Sequence, residues 1–546
     1  MRHRVVHFVV VVSLSVLAHG LVAHAAGPGE PESIRSWPLD GTPYTRLAVP
    51  DDGAPLGRGA MPGVIPRALP ETMAPRVLDV DIVDVVVNNT NPTLALTDTF
   101  NDGETSIAVN PDNPNDIVIT AFSGSWGAHA PLWHSLDGGR TWTKQFTIPS
   151  PPGVPAAGCP CDQTMDYGTA DQLAGTFLAG SNFPGPSPTA AAFDVYSGTT
   201  TDPADAAAWN WLVLDGVTQQ TNNNVPSSFG DADQPWLLVN RDPFTEGQEN
   251  VYVAYDNFRG APDMRVAVAR NTPPLDFTID QRTGVARGGT ISPLNPGHRL
   301  AVDRRTGAVY SLFQRGHAAG AGGSENIDYM LNRSTDGGQT WSLNGSAIGI
   351  VVANADSNQS LPKFCTVNAL LGGVLHAAVD PQTGDLVYVY GNRDPATGKN
   401  RLALRRIVDD GEGGVRIGPE AFVTGQVQAA LPAVAVTSDG TVGVFYYTCE
   451  GFSADGYPTF TAHVSLSEDQ GQTFSDLELL TFLSSAGPSP DARQRVLGDY
   501  MQMKALGNTF YGTFTGNGFP FGRPFANHDP IFFRIAVGSR LEEGTK

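Results

Sequence analysis

Ser135-Leu136-Asp137-Gly138-Gly139-Arg140-Thr141-Trp142, Ser334-Thr335-Asp336-Gly337-Gly338-Gln339-Thr340-Trp341 and Ser467-Glu468-Asp469-Gln470-Gly471-Gln472-Thr473-Phe474 are three copies of one pattern, S-x-D-x-G-x-T-[WF]. Each reads as a tight hairpin turn. The aspartate can accept bonds from turn amides, the glycine can take a backbone conformation that a Cβ would forbid, and the aromatic can pack under the turn. One copy would be weak; three in order mark a repeat architecture.

Between and around these turns runs a second repeat, an apolar strand, a short turn and another apolar strand. It occurs at Ser106–Val109 with Ile117–Ile119, Pro235–Val239 with Val251–Tyr255, and Arg299–Val302 with Ala308–Tyr310. It recurs at His376–Val379 with Leu386–Tyr390, Leu431–Val436 with Val442–Tyr446, and Gly498–Met501 with Thr509–Gly512. A weaker copy begins near Asp166-Tyr167 and continues through Gly175–Ala179. The starts lie about 60 to 70 residues apart, more than the roughly 40 to 50 of compact propeller repeats, so long loops are expected. The fold class is therefore all-β, a β-propeller of seven blades. A six-blade alternative would make the copy near Asp166 an elaborated loop. The last module, ending at Ile531–Val537, is one strand short, and the alternating segment near Asp79–Val87 is expected to supply it and close the ring.

The turn repeat resembles the Asp-box, or BNR, repeat of the sialidase superfamily. In that family the box joins the third and fourth strands of a blade, on the face away from the active site. The resemblance thus implies architecture and places chemistry on the opposite face. It also implies a tyrosine nucleophile, an activating carboxylate and three arginines holding a substrate carboxylate, for which bidentate guanidinium groups are suited. On this chain the matching candidates are Tyr500 as nucleophile, Asp499 and Glu104 as carboxylates, and Arg299, Arg315, Arg393 and Arg495 for the clamp. All start first strands or end second strands. The alternative for Tyr500 is an aromatic packed between blades, and for each arginine an ion pair. The family opens its first blade with R-I-P; here Asp102-Gly103-Glu104-Thr105-Ser106 stands instead, which removes one arginine and argues for little sialoside turnover. Two function classes follow: a secreted, sialidase-like glycoside hydrolase, or a non-catalytic propeller that binds glycans or proteins at the cell surface.

Arg2 and Arg4, an apolar run from Val5 to Leu17 and Ala23-His24-Ala25 read as a signal peptide over residues 1–25, so a secreted or periplasmic protein without a membrane span is expected. Residues 26–75 read as a Pro/Gly-rich linker or tail and residues 76–546 as the propeller. The formal net charge is −21, which repels phosphate backbones and speaks against a nucleic-acid partner. A glycan or glycoconjugate is the expected partner, and the chain is expected to be a monomer. The residue pattern calls for no cofactor. Acidic loops would suit Ca²⁺, though without EF-hand spacing, and Cys159-Pro160-Cys161 with His129 has no metal-site spacing. Four cysteines allow three pairings. Cys365–Cys449 would tie adjacent modules and leave Cys159–Cys161 as a local bridge, in keeping with an exported chain.

Overall fold

Three of the four strands of most blades are buried on both faces, and their sequences are near-continuous apolar runs; the outermost strand alternates. Val442–Phe452 and Pro458–Ser467 are buried along most of their length, whereas Ser475–Leu483 turns every second or third side chain to solvent. That gradient is what sheets packed face to face around an axis require. The computed structural model describes residues 76–86, 103–121, 131–147, 160–180, 193–211, 232–258, 262–288, 297–320, 324–357, 364–365, 375–394, 396–410, 413–423, 428–484, 497–522 and 528–540.

These residues form seven four-stranded antiparallel sheets, the blades of a β-propeller. The innermost strands of blades 1 to 6 are Ser106–Val109, Pro160–Tyr167, Ala232–Arg241, Arg299–Val302, Leu375–Val379 and Ala429–Val436. Blade 7 is built from Gln502–Leu506, Thr509–Asn517 and His528–Arg540, and Arg76–Asp84 completes it as the outermost strand. Val80 pairs with Ile535 and Ile82 with Phe533 in that ladder. Ring closure therefore joins the two ends of the described chain. Leu78 and Ile82 pack into the cluster shared with blade 6, while Val83 packs with Ile107 and Trp133 of blade 1.

Two strand boundaries differ from the sequence reading. Blade 2 begins at Pro160, not near Asp166, because its first half, Cys161-Asp162-Gln163-Thr164, is polar and lacks the apolar run of the other copies. In blade 7 the ladder begins at Gln502; Gly498 takes a left-handed φ of 75°, so Asp499 and Tyr500 lie before the strand.

The three turn repeats do more than close hairpins. Asp137 accepts hydrogen bonds from the Arg140 and Thr141 amides (3.0 and 2.9 Å) and from the Thr141 hydroxyl (2.6 Å). Asp336 and Asp469 repeat the amide and hydroxyl bonds with Thr340 and Thr473. The aromatic folds back on its own turn, Trp142 Nε1 donating to the Gly139 carbonyl at 3.0 Å, and also reaches the neighbouring blade. Trp142 of blade 1 meets Phe532 of blade 7 edge-on at 5.2 Å, and Trp341 of blade 4 joins Tyr252 and Val268 of blade 3. The glycine before it presses onto the same neighbour: at Gly139, with φ of 89°, a Cβ would come within 2.2 Å of the Phe532 ring. Each repeat thus clamps its blade to the preceding one. Cys365, ahead of the blade 5 inner strand, is disulfide-bonded to Cys449 of blade 6.

Candidate functional site

Among the described residues, six inner strands have a residue in the left-handed region at or just before their start. These are Glu104 (φ 53°), Asp162 (43°), Gln234 (46°), Gly297 (61°), Leu431 (56°) and Gly498 (75°). Each lies two residues before Ser106, Thr164, Trp236, Arg299, Ala433 and Tyr500 respectively. Holding a non-glycine residue there costs on the order of 1 kcal/mol or more. The repetition shows that the reversal belongs to the architecture: it turns the chain sharply from the rim loops into the axis.

The ring of residues after this reversal latches the blades. An inner strand has one edge without a neighbouring strand, and its inward N–H groups need acceptors. Ser106 Oγ accepts from the Met165 amide at 3.0 Å, Thr164 Oγ1 from Leu237 at 2.8 Å, and His376 Nδ1 from Val434 at 3.3 Å. Gln502 Oε1 closes the circle by accepting from Ile107 at 3.1 Å. Each bond runs from one blade to the next.

Trp236 and Arg299 of blades 3 and 4, with Tyr500 from the segment just ahead of the blade 7 strand, fill the axis instead. Arg299 is 1% exposed. Its guanidinium lies 4.7 Å from the Trp236 ring and 5.3 Å from the Tyr500 ring, a desolvated cation–π pair. Arg299 Nη2 donates to Gln234 Oε1 at 3.1 Å, and Gln234 Nε2 donates to Asp499 Oδ2 at 2.9 Å. Tyr500 donates its hydroxyl to the Gln163 carbonyl at 3.1 Å. Glu104, Asp162 and Asp256 add further buried carboxyls from blades 1, 2 and 3, all near enough to act electrostatically on Arg299.

Asp256 ends the second strand of blade 3, opposite Asp233 in the ladder. Complete burial, reinforced by the Asp233 charge, pushes its carboxyl well above the ordinary range; Arg299 and the His298 amide only partly offset this. Burial thus favours the protonated form of Asp256, which would be a proton donor beside the Arg299 cation. His298 lies beneath the cluster, pushed down to about 3 by burial. It is a neutral imidazole within 2.7 Å of Ser311 Oγ.

Of the residues singled out from sequence, Arg299, Tyr500, Asp499 and Glu104 meet in this axial cluster. Arg315 sits farther along blade 4, where Nη2 and Nε bond Asp328 at 2.9 and 3.2 Å. Arg393 closes a turn of blade 5 through Nε and the Gly398 carbonyl at 2.9 Å. Arg495, Cys159 and His129 fall outside the described residues. Trp236 carries no signal beyond membership of a strand, and Gln234 and Asp256, which flank the strands Pro235–Val239 and Val251–Tyr255, carry none in the sequence pattern. Among the described residues no group of three or more His, Cys, Asp or Glu side chains is arranged to hold a metal ion.

Below the cluster the axis opens into a cavity of about 330 Å³. Pro111, Arg304 and Ser438, all on hairpins between first and second strands, form its mouth. That is the face of the turn repeats, as the Gly138 amide bonding the Asn115 carbonyl at 3.0 Å shows. Asp137, Asp336 and Asp469 are not among its lining residues.

No protein-family model matches the chain, and no curated protein does. Among solved structures the chain is similar to a protein of unknown function from Dyadobacter fermentans, at 12% identity and a TM-score of 0.36, covering 69% of this chain and 94% of that one. It is also similar to an α-L-arabinofuranosidase from Fusarium graminearum at 12% identity, with a TM-score of 0.32, over 57% of this chain and 94% of that one. A family 43 endo-arabinanase from Bacillus licheniformis is likewise similar, at 12% identity and a TM-score of 0.29, over 58% and 98%. These likenesses are too distant to transfer a residue's role. The resemblance to the sialidase superfamily stands on the turn repeats alone.

Proposed function

We propose that the protein is an exported, glycan-active propeller that works as a glycoside hydrolase at the axial cluster, on the face opposite the turn repeats. The observation that carries this reading is the meeting of the fully buried Asp256 carboxyl, whose protonated form burial favours, with Arg299 and with carboxyl groups of other blades. Glycoside hydrolysis needs two carboxyl groups in unlike environments, one of which brings a proton to the leaving oxygen. Asp256 is the proton donor in this scheme, with Asp499 or Glu104 as the second carboxyl. Arg299 and Gln234 orient the substrate, and Trp236 with Tyr500 offers an aromatic floor to a sugar ring.

The sialidase-like form of the proposal makes Tyr500 the nucleophile and Arg299 the first arginine of a clamp. Arg315 and Arg393 are engaged within their own blades, and the first blade has acid where the family has arginine. Little sialoside turnover is therefore expected. The test is hydrolysis of a panel of chromogenic glycosides, including a sialoside and an α-L-arabinofuranoside. Asp256→Asn should lower kcat on the turned-over substrate by about 100-fold or more, the usual scale for a lost general acid, with the circular dichroism unchanged. Turnover that survives Asp256→Asn defeats the assignment.

A second reading, a non-catalytic glycan- or protein-binding propeller, is favoured by one observation: Arg299 is almost fully enclosed and bonded to protein groups. Specific glycan binding with no turnover of any panel member would select it.

A further inference from the structure

The cavity on the turn-repeat face shares Trp236 with the axial cluster and otherwise has its own lining and chemistry. Its walls are the apolar side chains of inner strands, Leu238, Ala378 and Val436 among them, and its lining includes Trp236 and His376. Two N–H donors among its lining residues have no hydrogen-bond partner: Gln502 Nε2 and Trp236 Nε1, on side chains each 2% exposed. Gln502 uses only its carbonyl oxygen, which accepts from Ser106 Oγ and the Ile107 amide. A buried amide left with its N–H₂ unpaired is costly, and nothing in the blade latch requires it. His376 Nδ1 accepts from the Val434 amide, so the neutral ring carries its proton on Nε2 and adds another donor.

Charge points the same way. Two cations line the cavity and share one carboxylate: Lys504 Nζ lies 3.2 Å from Asp166 Oδ1 and Arg304 Nη2 3.5 Å from Asp166 Oδ2. Asp166 also accepts from the Val239 amide at 2.9 Å, which spends its lone pairs further. The neighbouring Asp303 is matched by Arg305 and Asp380 by Arg406. Arg406 is also shared with Asp385, at 2.6 Å, so the groups behind the wall carry no excess cation. Among the lining residues themselves Arg304, Arg305 and Lys504 face Asp166 and Asp303, one positive charge in excess, in a chain of formal net charge −21. An apolar pocket with a few converging donors and one surplus cation selects an acceptor-rich, negatively charged ligand with an apolar body.

We propose that the axial cavity of the turn-repeat face is a binding site for a small organic carboxylate with an aryl or branched-alkyl body. The carboxylate sits between Lys504, Arg304 and Gln502, and the apolar body lies against the strand side chains near Trp236. The volume of about 330 Å³ admits a molecule of that size.

Isothermal titration of the full-length protein with 3-phenylpropanoate, beside the neutral 3-phenylpropanamide, tests this. The carboxylate should bind at least tenfold more tightly than the amide, and more weakly as salt rises. Arg304→Ala, at an exposed mouth position, should weaken carboxylate binding at least fivefold and leave the thermal melt unchanged. Ala378→Phe should abolish binding by filling the cavity. Failure of wild type to bind 3-phenylpropanoate, equal affinity for the amide, or binding that survives both substitutions would each overturn the proposal.

Discussion

Ring closure rests on a strand far from its partners in sequence, and Ile82→Ala measures what that strand contributes. Ile82 is fully buried, faces Phe533 across the ladder, and packs in the cluster that holds Phe514 and Ile535. The substitution removes three carbons, about 2.4 kcal/mol of transfer free energy at ~0.8 kcal/mol each, and adds a cavity term that brings the loss to about 3 to 4 kcal/mol. Val83 points the other way, into the cluster with Trp133 of blade 1, so Val83→Ala alone should cost about 2 kcal/mol. The internal control is Asp79→Ala. Asp79 is exposed and reaches Arg534 only at 3.4 Å, so its loss should stay within about 0.5 kcal/mol. Denaturant unfolding of the three variants beside wild type reads all of this. An Ile82→Ala curve that overlays that of Asp79→Ala would refute closure through this strand.

Other outcomes follow from the same structure. Asp336→Ala, which strips the Thr340 amide and hydroxyl bonds, should cost about 1 kcal/mol, as for a lost cap, and leave 3-phenylpropanoate affinity unchanged in titration; altered affinity would contradict a purely structural turn. Cys365→Ser with Cys449→Ser opens a loop of 84 residues, a loss of about 4 to 5 kcal/mol on the chain-entropy account, readable by calorimetry against the oxidised wild type. Burial pushes His298 and His376 down to about 3 and His528 to about 4. These folded values lie below the unfolded ones, so their stabilisation is complete above about pH 6.5 and is lost as pH falls toward 4. The slope reaches about 1.4 kcal/mol per pH unit for each histidine. Asp256 has the opposite sign, since its raised folded pKa makes stability fall as pH climbs above the unfolded value; Asp256→Asn should therefore steepen the net rise of stability between pH 4 and 6.5, and a flatter profile would count against its protonation.

The architecture was legible because its signals are local and repeated. Strand pairs such as Leu386–Tyr390 following His376–Val379 announce themselves by apolar runs, and the missing strand of blade 7 was a matter of counting. Blade 2 was half hidden because Asp162, Gln163 and Thr164 serve the axis and the latch instead of an apolar core. The neighbour-clamping role of Trp142 and Trp341 was not readable, since it depends on which blade lies alongside.

The axial cluster was legible only in part. Position alone placed Arg299, Tyr500, Asp499 and Glu104 at strand starts, and they meet. The same rule could not separate Arg299 from Arg315 and Arg393, whose partners Asp328 and Gly398 come from adjacent strands and turns of their own blades. Gln234 and Asp256 gain their meaning from closure of the ring, which brings blades 3, 4 and 7 to one point. No periodicity within a single blade carries that information.

The account turns on an axial carboxyl that burial holds in its protonated form above the ordinary range, and the most direct measurement is its protonation. With ¹³C-carboxyl-labelled aspartate, an NMR pH titration of wild type and Asp256→Asn identifies the Asp256 resonance by its absence in the variant. The resonance should keep the protonated chemical shift well above the pH at which ordinary aspartates titrate. A resonance that titrates in the ordinary aspartate range, near pH 4, would contradict the assignment of Asp256 as proton donor and, with it, the proposed chemistry of the site.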